Sequence, residues 1–113
     1  MSNKYIELAK NEYNNNNFNL SKMYYQFDIF YNNNKYLSYY NITIILIKQF
    51  KYVEALNYIK NSIRLNPNWY KSWRLLGEIL YNLKKYEYAL VAFKRSGEIG
   101  IFSEDIKNFI TKI

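Results

Sequence analysis

Apolar residues recur along this chain at helical intervals. Tyr36, Tyr39, Tyr40, Thr43 and Ile47 form one stripe, and Tyr52, Ala55, Leu56, Ile59 and Ile63 form another. Steps of three and four place side chains on one side of an α-helix. Short polar or basic stretches separate such stripes at Asn14 to Asn17, Lys48 to Lys51 and Asn82 to Lys85, and these read as turns. Asn66 offers an N-cap and Pro67 a first-turn residue whose missing N–H costs nothing there, so a helix is expected to start near Pro67. Gly97 and Gly100 mark the end of a later helix. Ser103, Glu104 and Asp105 open another with a cap and first-turn acids, ahead of Ile106, Phe109, Ile110 and Ile113 as core positions.

The stripes repeat. Tyr5, Tyr39 and Trp73 recur at an interval of 34 residues, and other columns keep the same register without a gap. Leu8, Ile42 and Leu76 form one, and Ala9, Thr43 and Gly77 the next. Phe18, Tyr52 and Tyr86 follow, then Ser21, Ala55 and Ala89, then Tyr25, Ile59 and Phe93, then Asp28, Ser62 and Ser96. Size and chemistry recur together, which is the signature of a repeat architecture with two helices per copy. Small residues at Ala9, Gly77, Ala55 and Ala89 let two helices approach, while Trp73, Tyr25 and Phe93 fill the space beside them. Thr43 departs from this, because a β-branched residue in a close-contact slot pushes helices apart. One copy cannot bury its apolar face alone, so neighbours must stack.

These columns resemble the tetratricopeptide repeat (TPR) family. Its 34-residue unit carries a bulky aromatic, then Leu and Gly, a tyrosine-like residue, Ala, an aromatic, Ala and a closing Pro. The third copy matches at Trp73, Leu76, Gly77, Leu80, Tyr86, Ala89 and Phe93, and the second at Tyr39, Ile42, Leu46, Tyr52, Ala55, Ile59 and Pro67. The first is looser, with Ser21 where alanine is usual and Asn33 where proline is usual. The resemblance implies an all-α fold: an α-α superhelix, or TPR solenoid, of three helix-turn-helix repeats with a C-terminal capping helix. Residues 1–113 would form one domain, with repeats at approximately 2–35, 36–69 and 70–103 and the cap at 103–113. The alternative to a cap is continuation into a longer array.

Composition narrows the chemistry. The 113 residues are half hydrophobic, enough for a core without staples, and contain neither cysteine nor histidine. That removes thiolate and imidazole nucleophiles, bases and metal ligands. No cofactor and no metal are expected. Ser and Thr are scattered, and acids such as Glu54, Glu87 and Glu98 read as solubilising charges on helix surfaces, so the chain is not expected to be an enzyme. The segment Met1 to Glu7 has no secretory apolar run, and the longest apolar stretch, Ile42 to Ile47, is far short of a bilayer span. A cytoplasmic location and no membrane contact are expected. The asparagine runs, together with abundant Tyr, Ile and Lys, are explained by an A/T-rich coding bias. The net charge of +7 is spread with a bias to the C-terminal two thirds, and it suits acidic partners.

In the family that the chain resembles, the first helix of each repeat lines an inner groove that holds a partner's peptide. Transferred to this sequence, that groove would present Asn3, Ile6, Lys10 and Tyr13 from the first copy. The second would supply Leu37, Tyr40, Asn41, Ile44, Ile47 and Lys48, and the third Lys71, Arg74, Leu75, Glu78, Tyr81 and Asn82. Asn41 could bond an extended backbone, the cations could meet carboxylates, and the tyrosines could pack side chains or serve the contacts between repeats. The function implied is a protein interaction scaffold for an acidic or aromatic segment.

One branch of the family, the chaperone co-factors, clamps the C-terminal carboxylates of Hsp70 or Hsp90. Of the five clamp positions Asn41 and Lys71 match, whereas Ile6, Lys10 and Leu75 replace a lysine, an asparagine and an arginine, with Arg74 beside the last. Binding of chaperone tails is therefore one alternative. Binding of RNA or single-stranded DNA through the basic, tyrosine-rich surface is another, although the charge is diffuse and the rings follow the packing register. Nothing in the sequence decides the oligomeric state.

Overall fold

The computed structural model describes residues 4–32, 35–100 and 104–112, with the side chain of Asp105 left out. The expectations for Asn3, Asn33, Ser103 and Ile113 lie outside the described residues. Seven helices run in order: α1 (Lys4–Asn14), α2 (Phe18–Tyr31), α3 (Tyr36–Lys48), α4 (Tyr52–Leu65), α5 (Tyr70–Asn82), α6 (Tyr86–Ile99) and α7 (Glu104–Lys112). The described residues contain no strand. α1 packs on α2, α3 on α4 and α5 on α6; successive pairs join through α2 with α3 and α4 with α5, and α7 covers α6. The particle is elongated, 40 × 26 × 22 Å, as a short stack of helix pairs should be. This is the all-α solenoid.

The turns inside each pair share one geometry. Asn16, Phe50 and Lys84, each one repeat length from the next, have φ of 64°, 59° and 63°. The N–H after each, on Asn17, Lys51 and Lys85, donates to the carbonyls of Glu12, Leu46 and Leu80 at 2.8 Å. The N–H groups of Asn16, Phe50 and Lys84 reach back to Tyr13, Ile47 and Tyr81 at 3.0 Å. This double closure is the Schellman motif, which satisfies the last carbonyls of the first helix while reversing the chain. Only at Asn16 does the residue type favour the left-handed conformation.

Four of the recurring columns form the core, whereas the Tyr5, Leu8 and Phe18 columns are mostly half-buried and Tyr86 is 45% exposed. Ala9, Thr43 and Gly77, then Ser21, Ala55 and Ala89, then Tyr25, Ile59 and Phe93, and then Asp28, Ser62 and Ser96, are all buried. Buried hydroxyls tie the paired helices together: Ser21 Oγ donates to the Ala9 carbonyl at 2.7 Å, and Ser62 and Ser96 donate to those of Tyr36 and Tyr70 at 2.9 Å. In the first copy the column carries Asp28, whose buried carboxylate accepts from Asn32 Nδ2 and from Ser38 Oγ of the next pair. Thr43 is accommodated: its Oγ1 donates to the Tyr39 carbonyl at 2.7 Å, and its copy carries Ile59 where the third carries the bulkier Phe93.

Three local expectations are corrected. The helix expected near Pro67 starts at Tyr70. Asn66 instead ends α4, its N–H donating to the Ser62 carbonyl, and Pro67 and Asn68 form a turn. Two rings hold that turn open: the Trp73 indole Nε1 donates to the Pro67 carbonyl at 2.8 Å, and Trp69 wedges against Tyr36 and Tyr40. Gly97 lies buried inside α6, and only Gly100 caps its end. Trp73 is half-buried, so it borders the core instead of filling it.

Candidate functional site

Helical phase decides which side chains α1, α3 and α5 turn to a common face. At 100° per residue, Lys71, Arg74 and Glu78 share one side of α5, and Trp73, Leu76 and Leu80 the opposite side. Arg74 and Glu78 of the first set lie near Tyr40 of α3, and the second set meets α4 and α6.

Between α1 and α3, the Lys48 ammonium sits 5.8 Å from the centre of the Tyr13 ring, and that ring lies edge-on to Phe18 at 5.4 Å. Tyr13, Tyr25, Asn41 and Ile44 surround an open recess of about 140 Å³. Tyr25 comes from α2 and is only 4% exposed, so it forms the floor. Burial pushes its hydroxyl pKa up to about 12, helped by Tyr13 and Asp28. Asn41, half-buried at the wall, can both donate and accept, which suits an extended backbone.

Between α3 and α5, Tyr40 is the centre. Its ring packs on Trp69 at 4.6 Å. Burial raises its hydroxyl pKa, the Arg74 guanidinium opposes the shift, and Glu78 and Tyr70 reinforce it. Arg74 and Glu78 are thus brought together around Tyr40. Lys10 and Lys71 are exposed.

Other positions on this side are committed elsewhere. Tyr81 stands edge-on to Tyr86 at 5.4 Å and to Phe109 of α7 at 5.5 Å. Leu75, expected to face the groove, is buried at 5% exposure in the main core. Its side chain therefore cannot stand in for a clamp arginine, and Ile6 at the first clamp position is an alkyl group. Trp69, Tyr70 and Tyr25 were not singled out for this face from the sequence. For Trp69 and Tyr70 the signal was aromatic character beside the α3 and α5 stripes, and Tyr25 was read only as a packing column with Ile59 and Phe93.

Among the described residues this face carries cations, one amide, several rings and the acid Glu78. No group of three or more His, Cys, Asp and Glu side chains able to hold a metal occurs among the described residues. None of the described helices is long and apolar enough to cross a membrane.

No protein-family model matches the sequence, and no curated protein matches it. Solved structures do match. The first TPR domain of Spaghetti (RPAP3) bound to the HSP90 peptide SRMEEVD superposes with a TM-score of 0.88 at 16% identity, covering 94% of this chain and 84% of that one. The TPR2B domain of yeast Sti1 in complex with pHsp70 gives 0.89 at 16% identity, over 96% and 92%. The Sgt2 TPR domain from Aspergillus fumigatus gives 0.87 at 13% identity, over 97% and 74%. Helix pairs at a constant interval, a shared turn geometry and these superpositions lead to one conclusion: the chain has the tetratricopeptide repeat fold.

Proposed function

We propose that the chain is a protein interaction scaffold whose α1–α3–α5 face holds an acidic segment of a partner protein in extended form, with all three helix pairs and α7 acting as one domain. What supports this is that Arg74 and Glu78 lie near Tyr40 and that Lys48 and Asn41 flank Tyr13, with exposed Lys71 on the same side of α5 as Arg74. Lysines and the guanidinium attract carboxylates, Asn41 serves the peptide backbone, and Tyr13 and Tyr40 supply rigid contact area. Two structural neighbours are complexes with an HSP90 peptide and with pHsp70, which supports a peptide as the ligand. Leu75 and Ile6 make the recognition differ from a full carboxylate clamp.

The test is fluorescence anisotropy with labelled SRMEEVD and with its charge-reversed form SRMKKVK. The acidic peptide binds in the micromolar range, about −8 kcal/mol. Lys71→Glu combined with Arg74→Glu weakens it several-fold while helix content stays constant. Equal binding by wild type and double variant, or displacement by an RNA homopolymer, refutes the assignment.

A further inference from the structure

A larger cavity lies on the other side of α5. It has a volume of about 570 Å³ and is lined by Leu56 and Lys60 of α4, Trp73, Leu76 and Leu80 of α5, and Lys85, Tyr88, Val91 and Ala92 beside and along α6. That is within the range of genuine ligand sites. Its walls are apolar, and among the described residues its charged lining residues are Lys60 and Lys85, both exposed.

The repeat explains why the cavity exists. One repeat length earlier, Tyr58 holds the position of Ala92, Gln26 that of Lys60 and Tyr39 that of Trp73. There a side chain occupies the space: the Tyr58 hydroxyl accepts a 3.0 Å hydrogen bond from Gln26 Nε2, and its ring lies 6.0 Å from that of Tyr39. At the second junction Tyr58 becomes a methyl group and its amide partner becomes an ammonium. Trp73 lines the cavity and is met instead by the Arg95 guanidinium, 6.0 Å from the ring centre. The rim changes as well. Glu54 and Asn57 of the earlier copy are replaced by Tyr88 and Val91, which are 68% and 64% exposed. A junction filled by Tyr58 and rimmed by polar groups has become an open one with an apolar rim.

We infer that this cavity is a second docking site, independent of the α1–α3–α5 face, and that its occupant is an aromatic side chain flanked by carboxylates on a partner protein. The ring takes the place that Tyr58 fills one repeat earlier, against Trp73 and over Ala92. The carboxylates meet Lys60 and Lys85 at the mouth, where no acid lines the wall. A second copy of this chain is the poorer occupant: among the described residues its two most exposed rings lack flanking exposed carboxylates, Phe30 lying between Ile29 and Tyr31 and Phe50 between Gln49 and Lys51.

The probe is the N-acetylated, C-amidated peptide EEFEE, with EEAEE and KKFKK as controls, followed by NMR at the Trp73 indole and the Ala92 amide. The two capped controls separate ring from charge. EEFEE shifts Trp73 and leaves Trp69 unmoved, and both controls bind about tenfold more weakly or worse. Ala92→Tyr with Lys60→Gln, which rebuilds the Tyr58–Gln26 pair, removes the response. Lys60→Glu with Lys85→Glu, both at exposed positions, keeps the fold and lowers affinity about fivefold or more. Unchanged EEFEE binding in either double variant overturns the inference. So does a shift confined to Trp69, no response at millimolar peptide, or a wild-type dimer in sedimentation that Ala92→Tyr converts to monomer. Failure of SRMEEVD to bind bears on the other face alone.

Discussion

Gly77 lies directly against the ring of Phe93: a Cβ at that glycine would come within 2.6 Å of Cε1, 2.7 Å of Cδ1 and 2.9 Å of Cγ. The ring cannot yield, because Phe93 is fully buried and stacks on Phe109 at 4.7 Å. Gly77→Ala gains helix propensity of about 1 kcal/mol, but overpacking costs about 1–3 kcal/mol. The expected net effect is a loss of up to about 2 kcal/mol in urea unfolding. A stabilised variant would show that the α5–α6 contact is looser than described.

Phe93 and Trp73 should differ in energetic weight although both are signature aromatics. Phe93→Ala opens a cavity in a closed core and costs about 3–5 kcal/mol. Trp73 is half-buried beside an open cavity, so Trp73→Ala loses partial burial and the bond to the Pro67 carbonyl, about 2 kcal/mol in all. Chemical denaturation of the two variants checks the order, which would be wrong if Trp73 cost more.

Lys84 holds a positive φ of 63° that a side chain makes unfavourable by about 1–2 kcal/mol. Lys84→Gly relieves it at some cost in unfolded-state entropy, leaving a gain of about 0.5–1 kcal/mol and a melting temperature a few degrees higher. A lower melting temperature would contradict the turn geometry.

Tyr25 supplies a pH dependence. Its folded pKa of about 12 lies above the ordinary value of 10.0, so the folded state keeps a proton that the unfolded state releases between these values. Stability contributed by the neutral hydroxyl is complete below pH 10 and falls by about 1.4 kcal/mol per pH unit above it, until pH 12. Tyr25→Phe should shallow the alkaline unfolding profile. An unchanged slope would place the hydroxyl in water.

Much of this architecture was legible because size alternation is a property of single columns: Ala9, Thr43 and Gly77 opposite Tyr25, Ile59 and Phe93 announce close helix pairs whatever the intervening residues. Turn positions were legible from polarity, but their conformation was not, since Phe50 and Lys84 carry no left-handed preference and only the tertiary closure imposes it. The start of α5 was misread because the local signal at Asn66 and Pro67 is weaker than the docking of Trp69 on Tyr36 and Tyr40. Leu75 was misplaced because helical phase gives a direction and says nothing of what stands opposite. The outer cavity was hidden for a related reason: Ala92 against Tyr58 looks like ordinary variation within a column until the space around each is seen.

The central claim, that α1, α3 and α5 present the face that holds a partner's acidic segment, is tested most directly by an amide NMR titration with SRMEEVD. Shifts should concentrate at Asn41, Ile44, Lys48, Lys71 and Arg74. Shifts confined to α2, α4 and α6, or none with millimolar peptide, would contradict it.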